Sequence, residues 1–273
     1  MSSQPLLFVS HIHEESELAV ILQTALRKEF SGFVEVFVSS DGASINAGAH
    51  FLEAVEGALT RCVGALYLIS PKSVTRPWVN FELGAMWIRG AVSKANGGAR
   101  LTALPVCHSG AKPSALPAPL NVLNGIRANE ASGLEFAFRS LQKALGVNAD
   151  LRTDFNELAE EIRKFEAKYT LGEVLRERFA ACMTKEQRFT LVTACRSAAA
   201  KPNPSFALEL PNIESSEAEK WRQSIAGPLA GKIRIEHKGG GVTFGTATSF
   251  NHVHVVLHFD SNLVVDHAEL IAN

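Results

Sequence analysis

Residues 66–89 read LYLISPKSVTRPWVNFELGAMWIR. A run of buried-strand character ends at Ser70, a short polar turn follows, and a helix begins near Pro77. Trp78 and Glu82 stand four residues apart, so both lie on one helical face near its N-terminus. An aromatic plate beside a single carboxylate, at the C-terminal end of a strand, is a place to hold a nucleotide and attack its sugar. The plainer reading makes Trp78 a core residue and Glu82 an ordinary first-turn acid that complements the helix dipole. The segments on either side decide between the two.

Upstream, the chain alternates strand and helix. Pro5–Ser10 is a short apolar run ending at polar His11. Glu14–Phe30 has helical periodicity, with Leu18, Ile21, Leu22, Ala25 and Leu26 in one stripe. Val34–Ser39 is β-branched and aromatic, Asp41–Gly48 (DGASINAG) is small and polar and reads as a loop, and Phe51–Leu59 is helical again. Downstream, Leu101–Cys107 is a fourth strand, 111–129 is an irregular Pro- and Ala-rich connection, and Asn129 or Ser132 caps a helix running through Leu145. Alternating βα units with near-continuous apolar strands predict a parallel sheet covered on both faces. Ligands of such sheets bind outside the carboxyl ends of the strands. Ser10, His11, Asp41, Ser70 and the Trp78–Glu82 helix start all fall on that edge.

After Gly146 the character changes, which divides the chain into 1–146 and 150–273. Asp150–Lys168 is a charged amphipathic helix with Phe155, Leu158, Ile162 and Phe165 on one side; it is read as joining the first domain to a distinct α+β unit with its own core, so a fragment ending near Asn148 is expected to fold, the competing view being that this helix packs against the first sheet. Helical patterns follow around Val174–Cys182 and Lys185–Ala199. Then come a strand at Phe206–Leu210, a helix at Ser215–Ile225, and a hairpin of Lys232–His237 and Val242–Phe244 about Gly239–Gly241. His252–Phe259 is the last strong strand. His252, His254 and His258 share one strand parity, and His237 lies on a candidate partner strand. No cysteine or carboxylate completes a familiar ligand pattern, so they read as side chains of a half-exposed strand, and no metal is expected.

Composition bounds the function. The 273 residues are 46% hydrophobic and 20% charged with a formal net charge of −1, so no basic excess points to nucleic acid or anionic membrane. The N-terminus carries no signal-peptide pattern, and no apolar run is long enough to span a bilayer, so the expected setting is the cytoplasm. Cys62, Cys107, Cys182 and Cys195 have no CxxC spacing and are expected to be reduced and mostly buried.

Over about residues 4–146 the chain resembles a TIR domain, which implies a flavodoxin-like parallel sheet followed here by a smaller α+β domain. LLFVSH looks like the first strand, VEVFVSSDGASINAGAHFLEAVEGAL like the second strand, BB loop and following helix, VGALYLIS like the third strand, and LTALPV like the fourth. SVTRPWVNFELGAMW is similar to the motif that bears the catalytic glutamate of NAD-cleaving TIR enzymes, with its aromatic one turn earlier. The resemblance implies that Glu82 is catalytic. It places Ser10, His11, Asp41, Ser44 and Trp78 around NAD+, which serves as substrate rather than as a bound cofactor. Nicotinamide leaves readily, so the reaction needs stabilisation of oxocarbenium-like charge on the ribose, which one carboxylate supplies. The 41–48 loop lacks a cation for the diphosphate, so backbone N–H groups or a neighbouring subunit would have to supply that contact.

The implied protein is an NAD+ glycohydrolase or cyclase in signalling or antiviral defence, a homo-oligomer through TIR–TIR contacts, with a protein or nucleotide trigger at the C-terminal domain. A non-enzymatic TIR adaptor is the alternative. A nucleoside deoxyribosyltransferase-like enzyme is a third reading, since that class shares a related sheet and a glutamate.

Overall fold

The apolar runs of the N-terminal half become a five-stranded parallel sheet. A computed structural model of the chain describes residues 4–39, 51–98, 101–178, 180–201, 204–226, 229, 231–238 and 252–272. Of Phe51, Arg178, Cys182, Ser224 and Ala226 it describes the backbone only. Contacts divide the chain into two units, Met1–Ala167 and Lys168–Asn273.

In the first unit the strands are β1 (Leu6–Ser10), β2 (Glu35–Ser39), β3 (Cys62–Ile69), β4 (Thr102–Cys107) and β5 (Ile126–Arg127). Their spatial order is β2-β1-β3-β4-β5, with every pair parallel. This is the flavodoxin-like order, which reverses direction between β1 and β3 and opens a crevice there. All five β1 residues are buried, as are seven of the eight in β3, the expected signature of strands covered on both faces. The helices are α1 (Ser16–Glu29), α2 (Phe51–Arg61), α3 (Pro77–Ala95) and α4 (Ala131–Ala144). Leu6, Phe8, Tyr67 and Ile69 pack with Val55 and Leu59 of α2 and Val79, Leu83 and Met86 of α3. The opposite face holds Leu7, which with Leu141 of α4 closes over Gly64. A β-carbon at Gly64 would lie 2.9 Å from Leu141 Cδ2 and 3.2 Å from Leu7 Cδ2.

The sequence puts the change of character near residues 146–150, whereas the units divide at 167/168. The difference lies in α5 (Phe155–Arg178), one continuous helix where the sequence suggests two patterns. Its first half belongs to the first unit. Leu158, Ala159, Ile162 and Phe165 are buried there, and Phe155 meets Phe138 edge-on at 5.2 Å. Glu29 ties down the approach to the helix, accepting from Thr153 N at 2.8 Å and Thr153 Oγ1 at 2.6 Å. The short β5 sits within the connection that the sequence reads as irregular.

The second unit contains α6 (Lys185–Ala199), β6 (Ser205–Glu214), α7 (Ser215–Ala226), β7 (Ile233–Lys238), β8 (His252–Asp260), α8 (Ser261–Asp266) and α9 (Ala268–Ala272). Its strands form an antiparallel sheet in the order β6-β8-β7. Trp221, Leu257, Phe259, Cys195 and Val264 lie in its core. The Gly239–Gly241 turn and Val242–Phe244 fall outside the described residues. His237 is paired opposite Val255, so it faces away from His252, His254 and His258. His258 Nε2 lies 3.0 Å from Glu236 Oε2. Among the described residues no three His, Cys, Asp or Glu side chains converge as metal ligands.

Cys62, Cys107 and Cys195 are free and buried. Burial pushes all three thiols up, Cys107 to about 11, which keeps them protonated near neutral pH.

A buried histidine pins α8 to α5 within the second unit. His267 Nδ1 lies 2.8 Å from Leu263 O, and its Nε2 lies 2.8 Å from Lys168 O. Gly172 of α5 makes room for that ring: a β-carbon there would sit 2.6 Å from His267 Cδ2 and 2.7 Å from Leu270 Cδ1. Alanine in place of a mid-helix glycine ordinarily stabilises by about 1 kcal/mol. Here Gly172→Ala is expected to destabilise the second unit by about 1–2 kcal/mol, because the anchored ring cannot swing clear. Hydrogen exchange at the amides of α8 and α9 reads the effect directly; unchanged or slower exchange in the variant would contradict the packing argument.

Candidate active site

The crevice between β1 and β3 brings Ser10, His11, Trp78 and Glu82 to one place. Ser10 is the last residue of β1 and shares its face with Leu6 and Phe8, toward α3. On α3, Val79, Glu82, Leu83 and Met86 form the buried stripe, so Glu82 occupies a core position of an amphipathic helix. A carboxylate there must be hydrogen-bonded to be tolerated, and both its oxygens are engaged. Ser10 Oγ donates to Oε2, and Trp78 Nε1 donates to Oε1 at 2.9 Å. Glu82 has no solvent-exposed surface.

Trp78 therefore does more than present a ring. One of its faces is stacked on Phe81, with centroids 4.9 Å apart and planes inclined by 25°. Its indole N–H orients the carboxylate, and it lines a cleft of about 160 Å³ together with His11, Ile12, Arg76, Pro77 and Val79. His11 is buried in that wall. Tyr67, paired with Ser10 across the sheet, is fully buried, and among the described residues its hydroxyl has no hydrogen-bond partner. Burial first, and then the charge of Glu82, push its phenol well above the ordinary value. Asp41 and Ser44 fall outside the described residues.

A second buried polar cluster adjoins the crevice. Glu15 Oε1 accepts from Ser70 Oγ at 2.7 Å and lies 3.1 Å from His108 Nε2, and Oε2 accepts from Ile12 N at 3.1 Å. Ser70 and Ser73 exchange backbone-to-hydroxyl bonds of 2.8 and 3.0 Å. Glu15, Ser70, Ser73 and His108 are all buried. The cluster ties the segments that leave β1, β3 and β4 to the start of α1, and so fixes the His11–Ile12 wall of the cleft.

Sequence reasoning passed over Glu15, His108 and Arg76. Glu15 reads as a first-turn acid and does close a capping interaction with Ile12 N. His108 follows β4 as His11 follows β1, a polar residue at the carboxyl edge, and that signal was available. Arg76 is an exposed cation lining the cleft.

A family model described as a TIR domain matches residues 7–141. No curated protein matches the chain. Among the described residues no helix is long and apolar enough to cross a membrane.

Proposed function

Residues 7–141 are a TIR domain, and on that premise we propose that the N-terminal unit cleaves the nicotinamide–ribose bond of NAD+. The observation that carries this reading is Glu82. It is a carboxylate at a core position of α3, closed to solvent, with one oxygen held by Ser10 and the other by Trp78. An adaptor surface has no use for a carboxylate that costs folding energy to bury.

The geometry supports the following course. NAD+ enters the cleft of His11, Ile12, Arg76 and Trp78 and meets the indole that also holds the carboxylate. Reaching Glu82 requires the Ser10 or Trp78 contact to yield, and the ribose hydroxyls then take over as donors to the carboxylate. As the bond to the cationic nicotinamide ring breaks, positive charge grows on the sugar and Glu82 stabilises it. Water then gives ADP-ribose, or an adenine nitrogen of the same molecule gives the cyclic product. Asp41 and Ser44 complete the other side of the site in this reading. The protein acts in the cytoplasm as a signalling or antiviral-defence effector, switched on by assembly, with the C-terminal unit as sensor or docking domain.

A second reading has its own support. Phe81, Trp87, Ile88 and Val92 of α3 are half to two-thirds exposed, an apolar face suited to a second copy of a domain that commonly self-associates. One assay separates the readings. Full-length protein is incubated with NAD+ over a wide range of protein concentrations, and the products are resolved by chromatography. Nicotinamide is expected in step with ADP-ribose or its cyclic form, with more product per mole as the protein is concentrated. No nicotinamide at any concentration would leave the interaction module as the function.

A further inference from the structure

We propose that Arg76, at the start of α3, forms an anion subsite that takes a phosphate of a nucleoside diphosphate. The proposal rests on the cleft being the substrate site and adds which corner of it reads the phosphate.

Arg76 is exposed at the mouth of the cleft, and among the described residues its guanidinium makes no hydrogen bond or ion pair. The neighbouring cation is already committed: Lys72 pairs with Glu14. Burial pushes the Glu14 carboxyl up. The Lys72 hydrogen bond, the backbone and the charges of Lys72 and Arg76 together hold it below its ordinary value. Glu14 thus has Lys72 as its direct partner and feels Arg76 only through its charge, while Arg76 lines the cleft.

The surroundings favour an anion. Ile12, Pro77 and Val79 give the corner apolar walls, which strengthen a charge–charge contact. α3 is 19 residues long, and no side chain caps its first turn, so its positive end adds to the guanidinium. A guanidinium matches two phosphate oxygens at once, as a point cation does not.

Distance then links this corner to the chemistry. Arg76 and Glu82 are six residues apart, about 9 Å along the helix axis. Trp78 belongs to both places, lining the cleft and donating to Glu82. A diphosphate held at Arg76 therefore sets the attached ribose beside the indole, on the path to the carboxylate.

Calorimetric titration of the full-length protein with ADP-ribose and with adenosine tests the proposal without requiring turnover. The unaltered protein should bind ADP-ribose with an affinity that falls as salt is added. Arg76→Gln should weaken ADP-ribose by about 10- to 100-fold, the usual worth of a charge-assisted contact. Adenosine affinity and the melting temperature should stay as they were. Equal ADP-ribose affinity in the two proteins, a parallel loss for adenosine, or no ADP-ribose binding by the unaltered protein would overturn it. NAD+ cleavage is measured alongside. Arg76-dependent ADP-ribose binding with no cleavage would remove the glycohydrolase reading and keep the subsite.

Discussion

Glu82→Gln should lower NAD+ cleavage by at least about 100- to 1,000-fold while the protein stays folded, because the substitution removes the charge that stabilises the developing cation. The variant is nearly isosteric but not neutral. In the parent both carboxylate oxygens accept, one from Ser10 Oγ and one from Trp78 Nε1. A glutamine offers a single acceptor oxygen, so its amide N–H₂ must confront one of the two donors. That mismatch in a site with no solvent exposure costs about 1–3 kcal/mol. The rate must therefore be read beside a thermal melt, at a temperature well below the variant's transition. A folded variant that retains the parent rate would end the assignment of Glu82 as the catalytic group. A folded variant with no rate, in which ADP-ribose still binds, would separate the carboxylate's chemistry from the cleft's recognition.

What could be read in advance follows from how local each signal is. The first four strands and the helices between them were legible, because each is an apolar run or stripe bounded by polar turn residues. Their parallel arrangement follows from the alternation itself. The two-residue β5 was not, since so short a strand leaves no periodicity within a Pro-rich connection. α5 looked like two helices because its polar composition hides a continuous path through Gly172, a glycine kept there by the His267 ring. That Ser10, Trp78 and Glu82 share the carboxyl edge of the sheet follows from strand ends and the helical turn; that they meet through hydrogen bonds does not. Trp78's role as a donor was not legible, because an indole N–H carries no sign in sequence of where it points. Glu15 was hidden for a different reason. Its partners Ser70 and His108 come from the ends of β3 and β4, and only the closed sheet brings them together.

A fragment ending at Asn148 should fail to fold as a soluble domain, and one ending at Ala167 should succeed. The first half of α5 buries Leu158, Ile162 and Phe165, and Phe155 packs edge-on against Phe138. Each large apolar side chain removed from water contributes about 2 kcal/mol. Losing the set approaches the whole stability of a typical domain, about 5–15 kcal/mol. Polar ties go as well. Glu166 accepts from Ser109 N at 2.9 Å and from Asn129 Nδ2 at 2.7 Å, bracing the loops after β4 and β5. Phe165 lies against the His108 ring at 5.7 Å, and His108 is part of the cluster that holds the end of β1. Cutting before α5 thus strips the support beneath the His11 wall of the cleft, although every proposed site residue remains in the fragment. The shorter piece should be insoluble or melt without cooperativity, and the longer one should be soluble with a single sharp transition. If the piece ending at Asn148 instead melts cooperatively and binds ADP-ribose like the full chain, the first half of α5 is dispensable to the sheet. The boundary would then lie near Gly146, where the sequence changes character.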